Sequence, residues 1–240
     1  MYEEIFCFND GGYSCGRHGD YGTGRTIYTG QDLNVGGTEI RIPHPISTAA
    51  SNAFQAGLIG VGTESFESFA AGAGSPLNLT FAGAGTATLT DNSGYIRNVP
   101  SGTNGVGRYP ISGNQYWESS GQMTITFGSP VSAFGFWGVD FGDFGGDLQM
   151  VFSNGLSKTF TVSTNGDPNG SVLFWGITET GATFQQIVFN NTQSGTDFFA
   201  FDDMTIGSQQ QVRQTPEPAT LMLLGFGLAG LATLRKKIKG

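Results

Sequence analysis

The sequence predicts a mainly β protein: a β-sandwich of jelly-roll type with one short N-terminal helix and a C-terminal transmembrane helix. Three observations lead there. Short runs of Phe, Val, Ile and Thr recur between Gly, Asn and Ser turns, in a chain with 39 glycines and 20 phenylalanines. A single stretch carries helix start and stop signals. From residue 216 the chain runs from prolines through an unbroken apolar segment to a basic end. A length of 240 residues suffices for one core of about 150–200 residues plus extra segments.

Residues 1–46 read as an irregular segment rich in Gly, Arg, Asp and Tyr, closed by Pro43-His44-Pro45. Residues 47–207 read as the sandwich domain. It opens with a helix from Ser47 to Gly57, with Ser47 as N-cap, Ala49, Ala50, Ala53, Phe54 and Ala56 as the apolar set, and Gly57 as the stop. Strands are expected at Leu58–Gly62 with Ser65–Phe69, and at Leu77–Phe81, Thr86–Thr90, Gln122–Phe127 and Ala133–Val139. More follow at Leu148–Phe152, Lys158–Val162, Ser171–Gly176, Thr183–Phe189 and Phe198–Ile206. Turn formers separate them, among them Asp91-Asn92-Ser93-Gly94, Ser153-Asn154-Gly155, Asn165 to Gly170 and Asn190-Asn191. Such spacing indicates a sandwich, and no internal repeat is present. Residues 208–215 are polar and read as a linker.

Residues 216–240 divide into three parts. Pro216-Glu217-Pro218 comes first, then the apolar run Ala219 to Leu234, then Arg235, Lys236, Lys237 and Lys239. Sixteen helical residues span about 24 Å, short of a hydrocarbon core near 30 Å, but snorkelling cations extend the reach. The run has no polar face, so it is expected to stay out of the β core. The basic end belongs on the cytoplasmic side, with the acidic bulk outside. This tripartite tail resembles the PEP-CTERM sorting signal of Gram-negative bacteria. The resemblance implies an inner-membrane precursor, processing near Pro216-Glu217-Pro218 by an exosortase, and association with biofilm and exopolysaccharide. Export requires a leader. Met1-Tyr2-Glu3-Glu4 is acidic and no apolar run follows, so either the natural start lies upstream, which is the expectation, or export takes another route.

The net charge is −8, and the four cations of the tail are concentrated at its very end. An acidic domain without clustered Lys or Arg excludes nucleic acid as a partner. Cys7 and Cys15 are the two cysteines. A disulfide in an oxidising compartment and two unpaired thiols both fit; with His18 alone nearby they do not complete a zinc site.

The search for catalysis finds no constellation. His18 and His44 both precede the β region, and there is no Gly-x-Ser-x-Gly, no His-Glu-x-x-His and no phosphate loop. The chain therefore reads as a non-catalytic exported envelope or matrix protein. The alternative is a glycan hydrolase or lyase, which needs two carboxylates about 5–10 Å apart in a cleft.

Three residue sets could bind something. Glu64 and Glu67 open the sandwich and Asp202 and Asp203 close it. First and last strands of a jelly roll are commonly neighbours, so these carboxylates can converge on Ca²⁺, or else stand solvated at strand ends. The arrangement resembles the structural calcium site of carbohydrate-binding jelly-roll modules. Asp140, Asp143 and Asp147 lack EF-hand spacing; a solvated hairpin is expected there, with a glycine-rich cation loop as the alternative. Arg108, Tyr109, Tyr116 and Trp117 lie in loop-like sequence, where exposed rings would stack on polysaccharide, packing of the loop being the other reading. Trp137 and Trp175 sit in apolar runs and are expected in the core. Segments such as Gly107-Arg108-Tyr109-Pro110 and Phe201-Asp202-Asp203-Met204 also resemble a domain type found with this tail, which implies no established activity.

Overall fold

The computed structural model describes residues 3–9, 13–18, 24–34, 39–120, 122–141, 147–161, 170–191 and 198–213. The chain begins with β1 (Glu3–Asn9), β2 (Tyr13–His18) and β3 (Arg25–Asp32), then α1 (Pro45–Ala56). β4 (Thr63–Glu64), β5 (Leu77–Phe81), β6 (Gly85–Asp91), β7 (Tyr95–Asn98) and β8 (Gln115–Ser119) follow. The rest is β9 (Met123–Val131), β10 (Ala133–Val139), β11 (Asp147–Phe152), β12 (Ser157–Thr161), β13 (Val172–Glu179), β14 (Phe184–Asn191) and β15 (Phe199–Gly207).

Among the described residues these strands form two sheets. The larger runs β2-β1-β3-β13-β10-β15-β8-β7, with β4 added on β15; the smaller runs β12-β11-β14-β9-β6-β5. Pairings are antiparallel except β1 with β3. The sheets pack face to face through aromatic rings: Phe134 and Phe136 of β10 meet Phe189 of β14, and Trp175 of β13 meets Phe152 of β11. Strict alternation on β5 marks one covered face. β10 and β13 are instead buried throughout, because α1 covers the outer face of the larger sheet.

The seat of α1 is written in glycine. Gly135 of β10 and Gly176 of β13 are cross-strand partners, and Phe54 lies over both. A Cβ at Gly135 would stand 2.7 Å from Phe54 Cε1, and one at Gly176 2.8 Å from Phe54 Cδ2, so no larger residue leaves room for the ring.

The helix was expected to start at Ser47; it starts at Pro45, a residue suited to the first turn because its missing N–H needs no partner there. Ser47 is not the cap. It is buried within the helix, and its hydroxyl donates to the carbonyls of Gly30 and Val172. The cap is supplied from β3: Asp32 accepts from the Ile46 and Ser47 N–H groups at 3.1 and 2.8 Å.

The expectation of an irregular N-terminal segment is corrected, since residues 3–32 hold β1, β2 and β3, and β3 pairs with β13 along eight register positions. The strands expected at Leu58–Gly62 and Ser65–Phe69 reduce to the two-residue β4 and one isolated bridge at Leu58. Residues 208–213 are not a free linker: a short 3₁₀ turn at Gln209–Gln211 docks on the domain. Among the described residues no helix is long and apolar enough to cross a membrane. The expected span from Ala219 to Leu234 lies outside the described residues.

Candidate functional site

β15 carries the extra residue of a bulge. Its register against β10 steps from Thr205↔Gly135 to Asp202↔Trp137, so two residues on β15, Asp203 and Met204, stand opposite the single Phe136 on β10. Asp203 stands there with a φ of 44°. The bulge turns Met204 into the inter-sheet core while Asp202 faces the loop before β8. Asp202 is 0 % exposed; its Oδ2 accepts from the N–H groups of Ile111 and Ser112 at 2.7 and 3.1 Å, and its Oδ1 from Asp203 N–H at 2.8 Å. Asp203 accepts from the Ser112 hydroxyl at 2.7 Å. Burial, then the charge of Asp203, pushes the Asp202 carboxyl well above the usual carboxylate range. Burial and the charge of Glu67 push Asp203 up as well, against the Ser112 hydrogen bond.

The expected neighbourhood of first and last strands is present, with Glu64 in register with Met204. The carboxylates nonetheless divide. Glu64 spends both oxygens on the N–H groups of Phe66 and Thr80, and Glu67 Oε1 takes those of Asn114 and Gln115. These oxygens hold loops in place, and among the described residues no group of three His, Cys, Asp or Glu is arranged to hold a metal ion.

Among the described residues, sequence reading missed an extended charged network. Glu118 of β8 is buried, and its Oε2 accepts from Tyr116 Oη at 2.9 Å, Asn104 Nδ2 at 3.0 Å and Arg108 Nε at 3.2 Å. Its Oε1 accepts from Tyr95 Oη at 2.8 Å, with Arg97 Nη1 3.6 Å away. Arg108 Nη1 reaches on to Asp140 Oδ2 and the Phe198 carbonyl, both at 3.0 Å. Burial opposes ionisation of Glu118, but the two tyrosine hydroxyls and the two guanidiniums outweigh it and hold the carboxyl below its ordinary value.

This network corrects two expectations. Arg108, Tyr109, Tyr116 and Trp117 are not an exposed loop set: Tyr109 is 2 % exposed and Tyr116 and Trp117 are 0 % exposed. Tyr116 and Trp117 belong to β8, so their ring faces are spent on packing and are not presented to a sugar. Asp140 is no solvated hairpin residue either. It is buried at the end of β10, ion-paired with Arg108, and accepts from Gly170 N–H at 2.9 Å. Asp143 and the side chain of Asp147 lie outside the described residues. Trp137 and Trp175 are in the core as expected.

The outer face of the smaller sheet carries an open groove of about 440 Å³, lined by Thr90, Asp91, Asn92, Gln122, Thr124 and Asn190 among others. Its single carboxylate is engaged: Asp91 accepts from Ser93 and Gly94 N–H and from the Ser119 hydroxyl. Asp202 and Asp203 do not line it.

The chain reaches its tail along a strap. Ile59 N–H donates to the Gln211 carbonyl and Arg213 N–H to the Gly57 carbonyl, both at 2.9 Å. Gln211 Nε2 donates to the carbonyls of Gly60 and Gly83 at 3.1 and 2.9 Å. Gln211 also closes a capping box with Ser208, a pattern of local polar residues that could have signalled structure here. Directly after this strap, residues 214–237 match the PEP-CTERM protein-sorting motif. The match takes in Pro216, Glu217, Pro218, Arg235, Lys236 and Lys237, all outside the described residues, as is Lys239. No curated protein and no solved structure matches the chain significantly. The motif implies an exported cell-envelope protein processed by an exosortase-type enzyme.

Proposed function

We propose that this chain is a non-catalytic envelope or matrix protein whose jelly-roll domain meets extracellular polysaccharide after the tail has been processed. The sorting motif at residues 214–237 carries this reading, because it directs the acidic β domain to the outside of the inner membrane. The jelly-roll assignment rests on strand order. Eight consecutive strands divide as β8-β15-β10-β13 in one sheet and β9-β14-β11-β12 in the other, the arrangement of two interlocked Greek keys. Polysaccharide contact is assigned to the groove with Asn92, Gln122 and Asn190, whose amides offer both donors and acceptors to sugar hydroxyls. Binding of exopolysaccharide by full-length protein in detergent, weakened by Asn92→Ala with Asn190→Ala, is the expected result; unchanged binding by that variant removes the groove from the proposal.

A second reading, a glycan-acting enzyme, is favoured by one observation: Asp202 and Asp203 are a carboxyl pair held above the usual range, as a general acid must be. Against it, Asp202 is fully buried and bound to backbone N–H groups away from the groove. Release of new sugar ends from exopolysaccharide, abolished by Asp203→Asn, would establish the enzyme instead.

A further inference from the structure

We propose that Cys7 and Cys15 form an intramolecular disulfide that staples the N-terminal hairpin once the chain is in an oxidising compartment. β1 and β2 pair antiparallel, with Cys7 directly opposite Cys15. Directly opposed residues in such a pair have Cα atoms about 4.5 or 5.5 Å apart and share a face of the sheet; both separations fall within the range a disulfide bridges. The position has mechanical sense. β1 is held to β3 over Glu3 to Phe6, and β2 is the outer strand. Cys7 is the first residue beyond that pairing, where the ladder thins from three strands to two. A two-stranded ribbon is marginal in water, so a cross-link at this point secures the pairs Phe8↔Ser14 and Asn9↔Tyr13 that follow it. The sequence offers these two thiols no other cysteine.

Formation removes two protons and two electrons from the thiols as the S–S bond forms. One thiolate attacks a disulfide oxidant, expelling one of its sulfurs as a thiolate and leaving a mixed disulfide. The second thiolate attacks that mixed disulfide and expels the oxidant's other sulfur. The oxidant thus takes up the two electrons and ends with both sulfurs as thiols, two glutathione molecules when the oxidant is oxidised glutathione. The place of oxidation rests on the export reading; the pairing itself does not. Two arms separate them. In the first, reduced full-length protein in detergent is incubated with oxidised glutathione, then denatured and alkylated with maleimide. Intact mass should show no adduct before reduction and two after it, with a peptide pair joining the two cysteines. Two adducts without reduction, stable glutathione adducts, or a covalent dimer overturn the proposal. In the second arm, protein from cells carrying a complete export signal is alkylated on lysis. Blocked thiols support both readings. Free thiols there, with ready pairing in the first arm, uphold the disulfide and count against export.

Discussion

Arg108 sits between Glu118 and Asp140, its Nε 3.2 Å from Glu118 Oε2 and its Nη1 3.0 Å from Asp140 Oδ2. One guanidinium thus joins β8, the loop before it and the end of β10. It is a structural counter-ion: both carboxylates are almost wholly buried, and neither faces the groove.

Removing that cation leaves two buried anions facing each other across its space. Arg108→Ala should destabilise the fold by about 3–5 kcal/mol, measured by denaturant unfolding. Arg108→Lys should fall between, because an ammonium cannot reproduce the fork that serves both carboxylates. Glu118 also makes the wild type acid-sensitive. Its folded-state value is lowered, so its stabilisation is present above the unfolded value, near pH 4.3, and is lost as pH falls through the lower folded value.

Asp202 and Asp203 work in the opposite direction. Their folded-state values are raised, so their contribution is fully present below the unfolded value, near pH 4, and is lost as pH rises through the folded values. At pH 7 Asp203→Asn relieves repulsion with Asp202 and Glu67 and should raise Tm; below about pH 4 variant and wild type should converge. Thermal melts from pH 3 to 8 measure this. A calcium titration that raises Tm of the wild type and not of the variant would show that these carboxylates ligate a cation instead.

Phe54 and the glycine pair form a lock whose parts are separable. Gly176→Ala should cost about 1–3 kcal/mol by overpacking, and Phe54→Ala about 3–5 kcal/mol by loss of a buried ring. The double variant should cost less than the sum, since the alanine methyl occupies space the ring has left. Strict additivity would place the ring elsewhere.

These features differ in how far the sequence announces them. β5 and β10 are legible to the residue, because alternation or a continuous apolar run states their burial directly. β8 is not: Gln115, Glu118 and Ser119 look like loop residues, and only distant partners make them tolerable inside. β3 hides similarly among the glycines and polar residues around it, since its strand character comes from pairing with β13 about 140 positions away. The four carboxylates were visible as candidates, but their backbone N–H partners were not: the surroundings of Asp202 and Asp203 follow from the bulge on β15, and those of Glu64 and Glu67 from residues up to about fifty positions away, which no local pattern encodes. The sorting tail was fully legible, because its three parts are contiguous and depend on no fold.

The strap sets the geometry in which that tail is read. With Arg213 N–H bound to the Gly57 carbonyl, Pro216 lies three residues further on, at most about 11 Å of extended chain from the domain. Processing near Pro216-Glu217-Pro218, as we propose, then takes place close against a folded sandwich, and recognition should lean on the motif itself more than on length of linker. Glu217 is the one charged group between the two prolines, so Glu217→Ala removes the only ionic contact the Pro-Glu-Pro element can offer. In cells carrying the processing enzyme and a complete export signal, full-length Glu217→Ala protein should accumulate in the membrane fraction, while the wild type yields a shortened extracellular product. Immunoblots of the two fractions measure the ratio. Equal amounts of the shortened product from both would mean that the carboxylate is not what the enzyme reads.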